Sequence, residues 1–285
     1  MNHRIVLQTD FGLSDGAVSA MNGVIMSVDP SLRIFDLTHE IPPFNIWEAS
    51  YRLYQTITYW PEGTIFISVV DPGVGTDRLS IVAKTKDNKY VVTPDNGTLT
   101  HVKHTIGIAD AREIDENVNR LPKSGESYTF HGRDVYAYTG ARLASGIISF
   151  EEVGPKVDPE NIVELSYPKP EVLSDGTIQG MIDILDVRFG NLWTNISRRL
   201  FTDANIEYGD LLEVAIEHNN RLIYKNMMRF ARSFAESRIG EPLVFVNSLD
   251  KLAVAINQGS FAKAYHVRTG ASWKISFRKI NSHGE

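Results

Sequence analysis

The sequence predicts an α/β fold that is followed by a smaller β domain. In the first half, short apolar runs typical of strands alternate with segments of helical spacing, which favours a mainly parallel sheet. Between residues 154 and 170, four prolines and little periodicity indicate a connection between domains. After it, β-like segments dominate. We therefore predict an N-terminal α/β domain at 1–156, a linker at 157–170 and a C-terminal β domain at 171–285.

The elements follow from the period of the apolar residues. The strands predicted in the first domain are residues 4–9, 33–38, 64–70, 80–85 and 90–93. The predicted helices are residues 16–28, 46–60 and 134–145. Ser14 or Asp15 suits the N-cap of the first helix. The β segments predicted in the second domain, which we expect to be antiparallel, are 180–196, 211–217, 221–224 and 242–247.

Composition limits the possible partners. The 285 residues are 42% hydrophobic and 22% charged, with a net charge of -6, so the chain has no general attraction for nucleic acid or anionic membranes. The absence of cysteine excludes disulfides, thiolate nucleophiles and cysteine-ligated zinc. No stretch approaches the ~18 apolar residues of a membrane span, and the first residues lack the apolar core of a signal peptide. We predict a cytoplasmic protein with a small-molecule partner.

Two carboxylates follow the first predicted strand, at the sheet edge where α/β proteins bind ligands. Asp10 has the chemistry to accept two ribose hydroxyl protons, and Asp15 to hold an ammonium group. The structural alternative is that Asp10 forms a turn and Asp15 caps the helix. The Asp-Phe-Gly triplet at 10–12 does not indicate a kinase, because no Gly-rich phosphate loop followed by a strand lysine exists in the sequence.

A second polar group lies at loop positions after the 64–70 strand and before the 134–145 helix. Asp71 ends an apolar run, Arg78 follows seven residues later, and His131 precedes the helix. Catalytic side chains are often on loops that a rigid sheet positions. The structural alternative for Asp-Pro-Gly-Val-Gly at 71–75 is a tight turn.

In the second domain, one short stretch combines Asp186, Phe189, Asn191 and Trp193. An aromatic face beside an amide suits a purine ring, although core aromatics around a β turn explain the spacing equally. The histidines at 101 and 104 can meet at one metal only on a helix. With no carboxylate nearby in the sequence, we expect them to be surface residues.

Six segments in order resemble one family, the S-adenosylmethionine (SAM) hydroxide adenosyltransferases, which are related to the SAM-dependent fluorinase and chlorinase. The segments are Thr-Asp-Phe-Gly (9–12), Asp-Pro-Gly-Val-Gly (71–75), Pro-Asp-Asn-Gly (94–97), Phe-His-Gly-Arg-Asp (130–134), Phe-Gly-Asn-Leu-Trp-Thr-Asn (189–195) and the stretch from Asn247 to Asn257. The resemblance implies an α/β domain, a β-barrel-like C-terminal domain and a homotrimer with its sites between neighbouring subunits.

The resemblance also implies a role for each candidate residue. Those assigned to substrate binding are Asp10, Asp15, Phe44, Asp186, Phe189, Asn191, Ser248, Ile256 and Gln258. Asp10 would bind the ribose hydroxyls and Phe44 would line the sugar and the sulfonium, where halogenating members carry Trp. Asp15, Asp186 and Ser248 would hold the methionine amine and carboxylate. Phe189 and Asn191 would bind the adenine, and main-chain groups at 256–258 would contact the rest of its edge.

Asp71, Arg78 and His131 match the trio of the water-using members, which implies hydrolysis of SAM to adenosine and methionine by attack at ribose C5′. The sulfonium leaves as a neutral thioether, so we expect neither a metal nor a cofactor. Arg78 would hold a hydroxide-like oxygen, and either Asp71 or His131 would act as the base. Two alternatives stay open: halide transfer to C5′, which Asp71 and His131 disfavour, and a non-catalytic module that binds an adenosyl ligand.

Overall fold

The computed structural model describes residues 3–125 and 128–280. The chain divides into two compact units, Met1–Leu165 and Ser166–Glu285. The predicted linker at 157–170 lies across this division. Within the described ranges, no helix is both long enough and apolar enough to cross a membrane.

The first unit is an α/β structure with a seven-stranded sheet in the order β2-β1-β3-β5-β4-β6-β7. Its strands are β1 (Arg4–Thr9), β2 (Arg33–Thr38), β3 (Ile65–Val69), β4 (Ser80–Thr85), β5 (Tyr90–Pro94), β6 (Ile108–Glu113) and β7 (Lys156–Val157). The pairings among β2, β1, β3 and β5 are parallel, and those of β4, β6 and β7 are antiparallel. The sheet is therefore mixed, and its parallel part is the one that the alternating pattern predicts.

Helices pack on both faces of this sheet, which is why β1 and β3 are almost wholly buried. The helices are α1 (Ala17–Val28), α2 (Ile46–Ile57), α3 (Thr100–Thr105) and α4 (Tyr138–Ser145), with a π-helical turn at Gly132–Ala137 and 3₁₀ turns at Glu151–Val153 and Pro159–Asn161. One core includes Met21 of α1, and the other includes Leu53 of α2. In the β1–β3 pair, Thr9 lies opposite Val69, so residues 10 and 71 emerge at the same edge of the sheet.

The second unit is a β-barrel, as expected for the second domain. Its strands are β8 (Glu171–Val172), β9 (Ile178–Leu185), β10 (Leu192–Ser197), β11 (Leu211–His218), β12 (Arg221–Phe230), β13 (Pro242–Val246), β14 (Lys251–Ile256) and β15 (Trp273–Lys279). Seven strands close in the order β9-β10-β14-β13-β12-β11-β15, with β8 added on β9. All pairings are antiparallel except β12 with β13. Short helices α5 (Arg198–Asp203) and α6 (Phe261–Tyr265) and a 3₁₀ turn at Phe234–Glu236 complete the unit.

The structure corrects several predicted elements. The helix predicted at 134–145 begins as the π-helical turn and becomes α-helical only at Tyr138. The helix predicted at 46–60 ends at Ile57. Strands β6, β7, β8, β14 and β15 and the short helices α3, α5 and α6 were not predicted. The short helices have too few turns to establish a period, whereas β15 alternates apolar and polar residues and was predictable from its pattern.

Candidate active site

Three side chains from distant segments of the first unit form one hydrogen-bonded group. Arg78 Nε donates to Asp71 Oδ1 at 2.8 Å, and its Nη2 donates to Asp71 Oδ2. The same Nη2 lies 3.1 Å from His131 Nδ1. The side chains of Arg78 and Asp71 are only 11% and 6% exposed. The fold therefore brings together the three residues that the sequence offers as a reaction site.

The partners of His131 determine where its ring carries a proton. Arginine has only N–H donors, so Nδ1 must accept from Arg78 and cannot itself be protonated. Burial lowers the pKa of His131; Glu116 opposes this shift, while Arg78 adds to it. The ring is therefore neutral near pH 7, with its proton on Nε2. This Nε2 is buried and has no hydrogen-bond partner in the described part of the chain, so it presents an unused donor.

The guanidinium of Arg78 stays protonated. Burial alone would lower the pKa of its guanidinium, but the hydrogen bond to Asp71 and the nearby negative charge outweigh burial and raise that pKa. Arg78 Nη1 also donates to Ser80 Oγ at 2.9 Å, and this oxygen lies 3.1 Å from the hydroxyl of Tyr136. The sequence analysis singled out neither residue: Ser80 is close to Arg78 in the sequence but was assigned only to a strand, and Tyr136 is distant from both.

A cavity of about 360 Å³ adjoins this group. Asp71 and His131 line it together with Asp10 and Phe44. Arg78 is hydrogen-bonded to Asp71 and His131 but does not itself line the cavity. Asp10 Oδ2 accepts a hydrogen bond of 2.8 Å from the Phe44 backbone N–H. Phe44 has φ of 67°, which is unusual for a bulky residue, and its side chain is 70% exposed. A strained residue that leaves an aromatic ring uncovered at a cavity is typical of a binding site.

Asp15 is not brought into this cavity. Its Oδ1 accepts a hydrogen bond of 2.9 Å from the backbone N–H of Ala17, the first residue of α1. Gly16 occupies the N-cap position, so Asp15 satisfies one of the free N–H groups of the first turn. The prediction of Ser14 or Asp15 as the N-cap was wrong, although the Asp15 carboxylate still accepts an N–H at the start of the helix.

The second unit has a larger cavity, of about 930 Å³. All six candidate residues of this unit line it, namely Asp186, Phe189, Asn191, Ser248, Ile256 and Gln258. Further lining residues that the sequence analysis assigned no role include Arg188, Arg232, Phe234 and Phe245. The phenylalanines come from segments after β12 and within β13, two strands that pair directly, and their ring centroids lie 5.1 Å apart.

The turn between β9 and β10 shapes one wall of this cavity. Asp186 Oδ1 accepts the backbone N–H groups of Arg188 and Phe189, at 3.1 and 3.2 Å. Gly190 has φ of 69°, and a Cβ there would lie 1.9 Å from Ser260 Oγ, so only glycine fits. The turn leaves Phe189 68% exposed while Asn191 is only 6% exposed. An exposed ring beside a buried amide suits stacking with edge recognition.

The histidines at 101 and 104 differ from expectation. They do lie on a helix, α3, but His101 is buried and its Nδ1 is 2.8 Å from Ser50 Oγ. His104 Nε2 lies 2.7 Å from Glu164 Oε2, a carboxylate brought there from a distant segment. The prediction of a surface position was therefore wrong for His101 and correct for His104, which is exposed but has a carboxylate beside it. Over residues 3–125 and 128–280, no three or more metal-ligating side chains form a group that could hold a metal ion.

The α/β unit with a charged cavity and the β-barrel unit with a larger aromatic one define a two-domain enzyme of small-molecule chemistry. Residues 5–154 match the family model for the SAM hydroxide adenosyltransferase N-terminal domain, and residues 180–274 match that for the C-terminal domain. The chain belongs to the SAM hydroxide adenosyltransferase family.

Similar proteins carry two different names. The chain is 36% identical over 238 residues to an (R)-S-adenosyl-L-methionine hydrolase of Methanocaldococcus jannaschii, covering 82% of this chain and 81% of that protein. It is 30% identical over 302 residues to a fluorinase of an Actinoplanes species, covering 96% and 98%. A crystal structure of an uncharacterized conserved protein from Thermotoga maritima is similar with a TM-score of 0.86 and 36% identity, covering 96% and 99% of the two chains.

Proposed function

We propose that this enzyme hydrolyses SAM to adenosine and L-methionine by direct attack of a water-derived oxygen at ribose C5′. The observation that carries the proposal is the buried Asp71–Arg78–His131 group beside a cavity that Asp10 also lines. Relatives named (R)-S-adenosyl-L-methionine hydrolase support it. Because that name specifies one configuration at sulfur, the assay should present both sulfonium epimers.

The three residues would divide the work. The positive charge of Arg78 favours a hydroxide-like oxygen close by, and the Nε2–H of His131 is available to donate to that oxygen. His131 in this tautomer has no nitrogen free to take a proton. Asp71 is therefore the proton acceptor if water is deprotonated in the site; otherwise hydroxide binds from solution. The thioether leaves neutral, so the proposal needs neither a general acid nor a metal or cofactor.

The second cavity would bind the ends of the substrate, with Phe189 and Asn191 at the adenine and Asp186 and Ser248 at the methionine part. Asp10 would take the ribose hydroxyls. We propose that each substrate molecule is bound by the first cavity of one chain and the second cavity of a neighbouring chain in a homotrimer, as the family resemblance implies. A cytoplasmic location also stays a prediction.

The first experiment is chromatography of the purified enzyme with SAM. We expect adenosine and methionine in equal amounts, and no 5′-halo-5′-deoxyadenosine when chloride or fluoride is added. Formation of the halogenated nucleoside would favour halide transfer, which the fluorinase relatives make the alternative to exclude. Saturable binding of SAM without any adenosine would instead favour a non-catalytic module.

Stereochemistry tests direct attack. In SAM made chiral by deuterium at C5′, one displacement inverts the configuration and two displacements through a carboxylate ester retain it. We expect inversion, with solvent ¹⁸O in the 5′-hydroxyl after a single turnover in labelled water. Two other outcomes would make Asp71 or Asp10 the nucleophile: retention with labelled adenosine, from a second displacement at C5′, or inversion with unlabelled adenosine, from attack of water on the acyl carbon of the ester.

Subunit exchange tests the shared site. Asp71→Asn and Asn191→Ala variants, each with a lowered kcat/KM alone, should recover kcat/KM when mixed, because some sites then combine two unmodified halves. Recovery should follow the fraction of mixed trimers measured by mass spectrometry. If mixed trimers form without any gain, each site is built from one chain.

A further inference from the structure

We infer that Ser80 and Tyr136 form a positioning pair that fixes the guanidinium plane of Arg78 for the reaction. Arg78 Nη1 donates to Ser80 Oγ at 2.9 Å, and Ser80 Oγ lies 3.1 Å from Tyr136 Oη. Tyr136 is fully buried, and Ser80 is 5% exposed. The inference rests on the role proposed for Arg78.

The donors of Arg78 show what the pair controls. A guanidinium has five N–H donors in one plane. Nε and Nη2 donate hydrogen bonds to Asp71 and His131, and one Nη1–H donates to Ser80. One Nη1–H has no hydrogen-bond partner in the part of the chain that the structure describes. Because the two hydrogens on Nη1 are coplanar, holding one on Ser80 also sets the direction of the other.

Tyr136 contacts both Ser80 and Arg78. Its ring centroid lies 5.7 Å from Arg78 Cζ, so the ring contacts the guanidinium while its hydroxyl holds Ser80. Burial raises the pKa of Tyr136, which keeps the phenol neutral and able to serve as donor or acceptor. A phenylalanine would fill the same space without this hydrogen bond.

The π-helical turn explains how one element reaches Arg78 twice. His131 directly precedes the turn and Tyr136 lies within it, five residues later. A π-helix closes its hydrogen bonds over five residues, so residues at this spacing lie on one side of the turn. In an α-helix the same two residues would diverge. The wider turn therefore lets His131 accept a hydrogen bond from Arg78 Nη2 while the Tyr136 hydroxyl hydrogen-bonds to Ser80.

The test removes the hydroxyl and keeps the ring. Tyr136→Phe should lower kcat about 5- to 10-fold and leave KM for SAM within about 2-fold, because the pair acts on the reaction and not on binding. Ser80→Ala should lower kcat at least as much, and Ser80→Thr, which keeps the hydroxyl, should restore most of it. Tyr51→Phe is the matched control, since Tyr51 is a buried tyrosine of the same unit that packs on His101.

Dependence on Arg78 separates positioning from general stability. In an Arg78→Lys background the planar fork is absent, so Tyr136→Phe should change kcat less than about 2-fold. An equal loss of kcat in both backgrounds, or a change in KM alone, would overturn the inference. If Tyr136→Phe does not fold, the Ser80→Ala and Ser80→Thr variants decide the question in the same two backgrounds.

Failure of the inference is distinguishable from failure of the proposed function. If the unmodified enzyme releases no adenosine from SAM, the proposed function is wrong. If it turns over and both Tyr136→Phe and Ser80→Ala match it in kcat, the proposed function stands and the positioning pair does not.

Discussion

The cavities of the two units are built in different ways. In the first unit, Asp71, Arg78 and His131 are buried, and the hydrogen bonds among them join segments up to 53 positions apart. In the second unit, the candidate residues lie on turns and strand ends whose hydrogen bonds are mostly local, and Phe189 remains 68% exposed. The first cavity is also the smaller, at about 360 Å³ against 930 Å³.

This difference suits the first cavity to the reaction and the second to substrate binding. Preorganised charges in a poorly hydrated site stabilise charge in a transition state, because they need no rearrangement as the reaction proceeds. An open aromatic surface with a few buried polar groups provides contact area and selectivity instead. We therefore expect changes in the first cavity to lower kcat and changes in the second to raise KM.

Arg78→Ala should have the largest effect. Removing the cation that stabilises the oxygen nucleophile should lower kcat about 100- to 1000-fold, while the Kd for SAM changes little. Steady-state kinetics and calorimetry measure the two quantities. Arg52→Ala is the matched control, because Arg52 is 13% exposed and paired with Glu48 in the same unit. Weaker binding with an unchanged kcat would contradict the role of the first cavity.

Asp71→Asn and His131→Ala should each lower kcat about 10- to 100-fold, because each removes one partner of the Arg78 guanidinium. The double variant should lose less than the product of the two effects, since the three residues act as one unit. A double-mutant cycle on kcat measures the coupling. Fully multiplicative losses would mean that the residues act independently despite their hydrogen bonds.

Asn191→Ala tests whether the second cavity acts on substrate binding. Loss of the buried amide should raise KM for SAM about 10-fold and leave kcat within about 3-fold, because its contacts to the substrate do not change in the transition state. Adenosine binding should weaken by a similar factor. Asn226→Ala, on the exposed face of β12, is the control. A fall in kcat without a rise in KM would remove the proposed division of roles.

Gly190→Ala tests whether the turn shapes the second cavity. The new Cβ would lie 1.9 Å from Ser260 Oγ at a φ of 69°, so we expect a loss of about 2 kcal/mol in the free energy of unfolding and weaker adenosine binding. Gly176→Ala is the control, because Gly176 also has a positive φ, of 81°, but nothing within 4 Å. It should cost about 1 kcal/mol and leave binding intact. Chemical denaturation separates the two.

The smallest effect concerns pH. Burial lowers the pKa of His131 from its ordinary 6.5, so below pH 6.5 the unfolded chain takes up a proton that the folded chain does not. The free energy of unfolding should therefore fall as the pH drops through this window, and His131→Gln should reduce that fall. Urea denaturation at pH 7.5 and 5.5 measures it. An unchanged pH dependence would mean that His131 is not buried as a neutral ring.

Local patterns predicted much of the first unit and the positions of the candidate residues. The apolar periods placed β1, α1 and β3, and since parallel strands end at one sheet edge, the folded chain brings the strand ends before Asp10 and Asp71 together. The alternating β segments predicted the class of the second unit. They did not predict its closure, because β14 and β15 were not predicted and barrel closure depends on pairings between distant strands.

The sequence by itself determined the residue types available for the reaction and their places beside regular elements: Asp10 and Asp71 follow strands, Arg78 precedes a strand and His131 precedes a helical turn. The tertiary structure alone decided their partners. It directed the proton of His131 to Nε2 and brought Tyr136 to Ser80 and Arg78. The physical reason is that periodicity records only local geometry, whereas hydrogen-bond partners and burial depend on which distant segments the folded chain brings within about 3 Å.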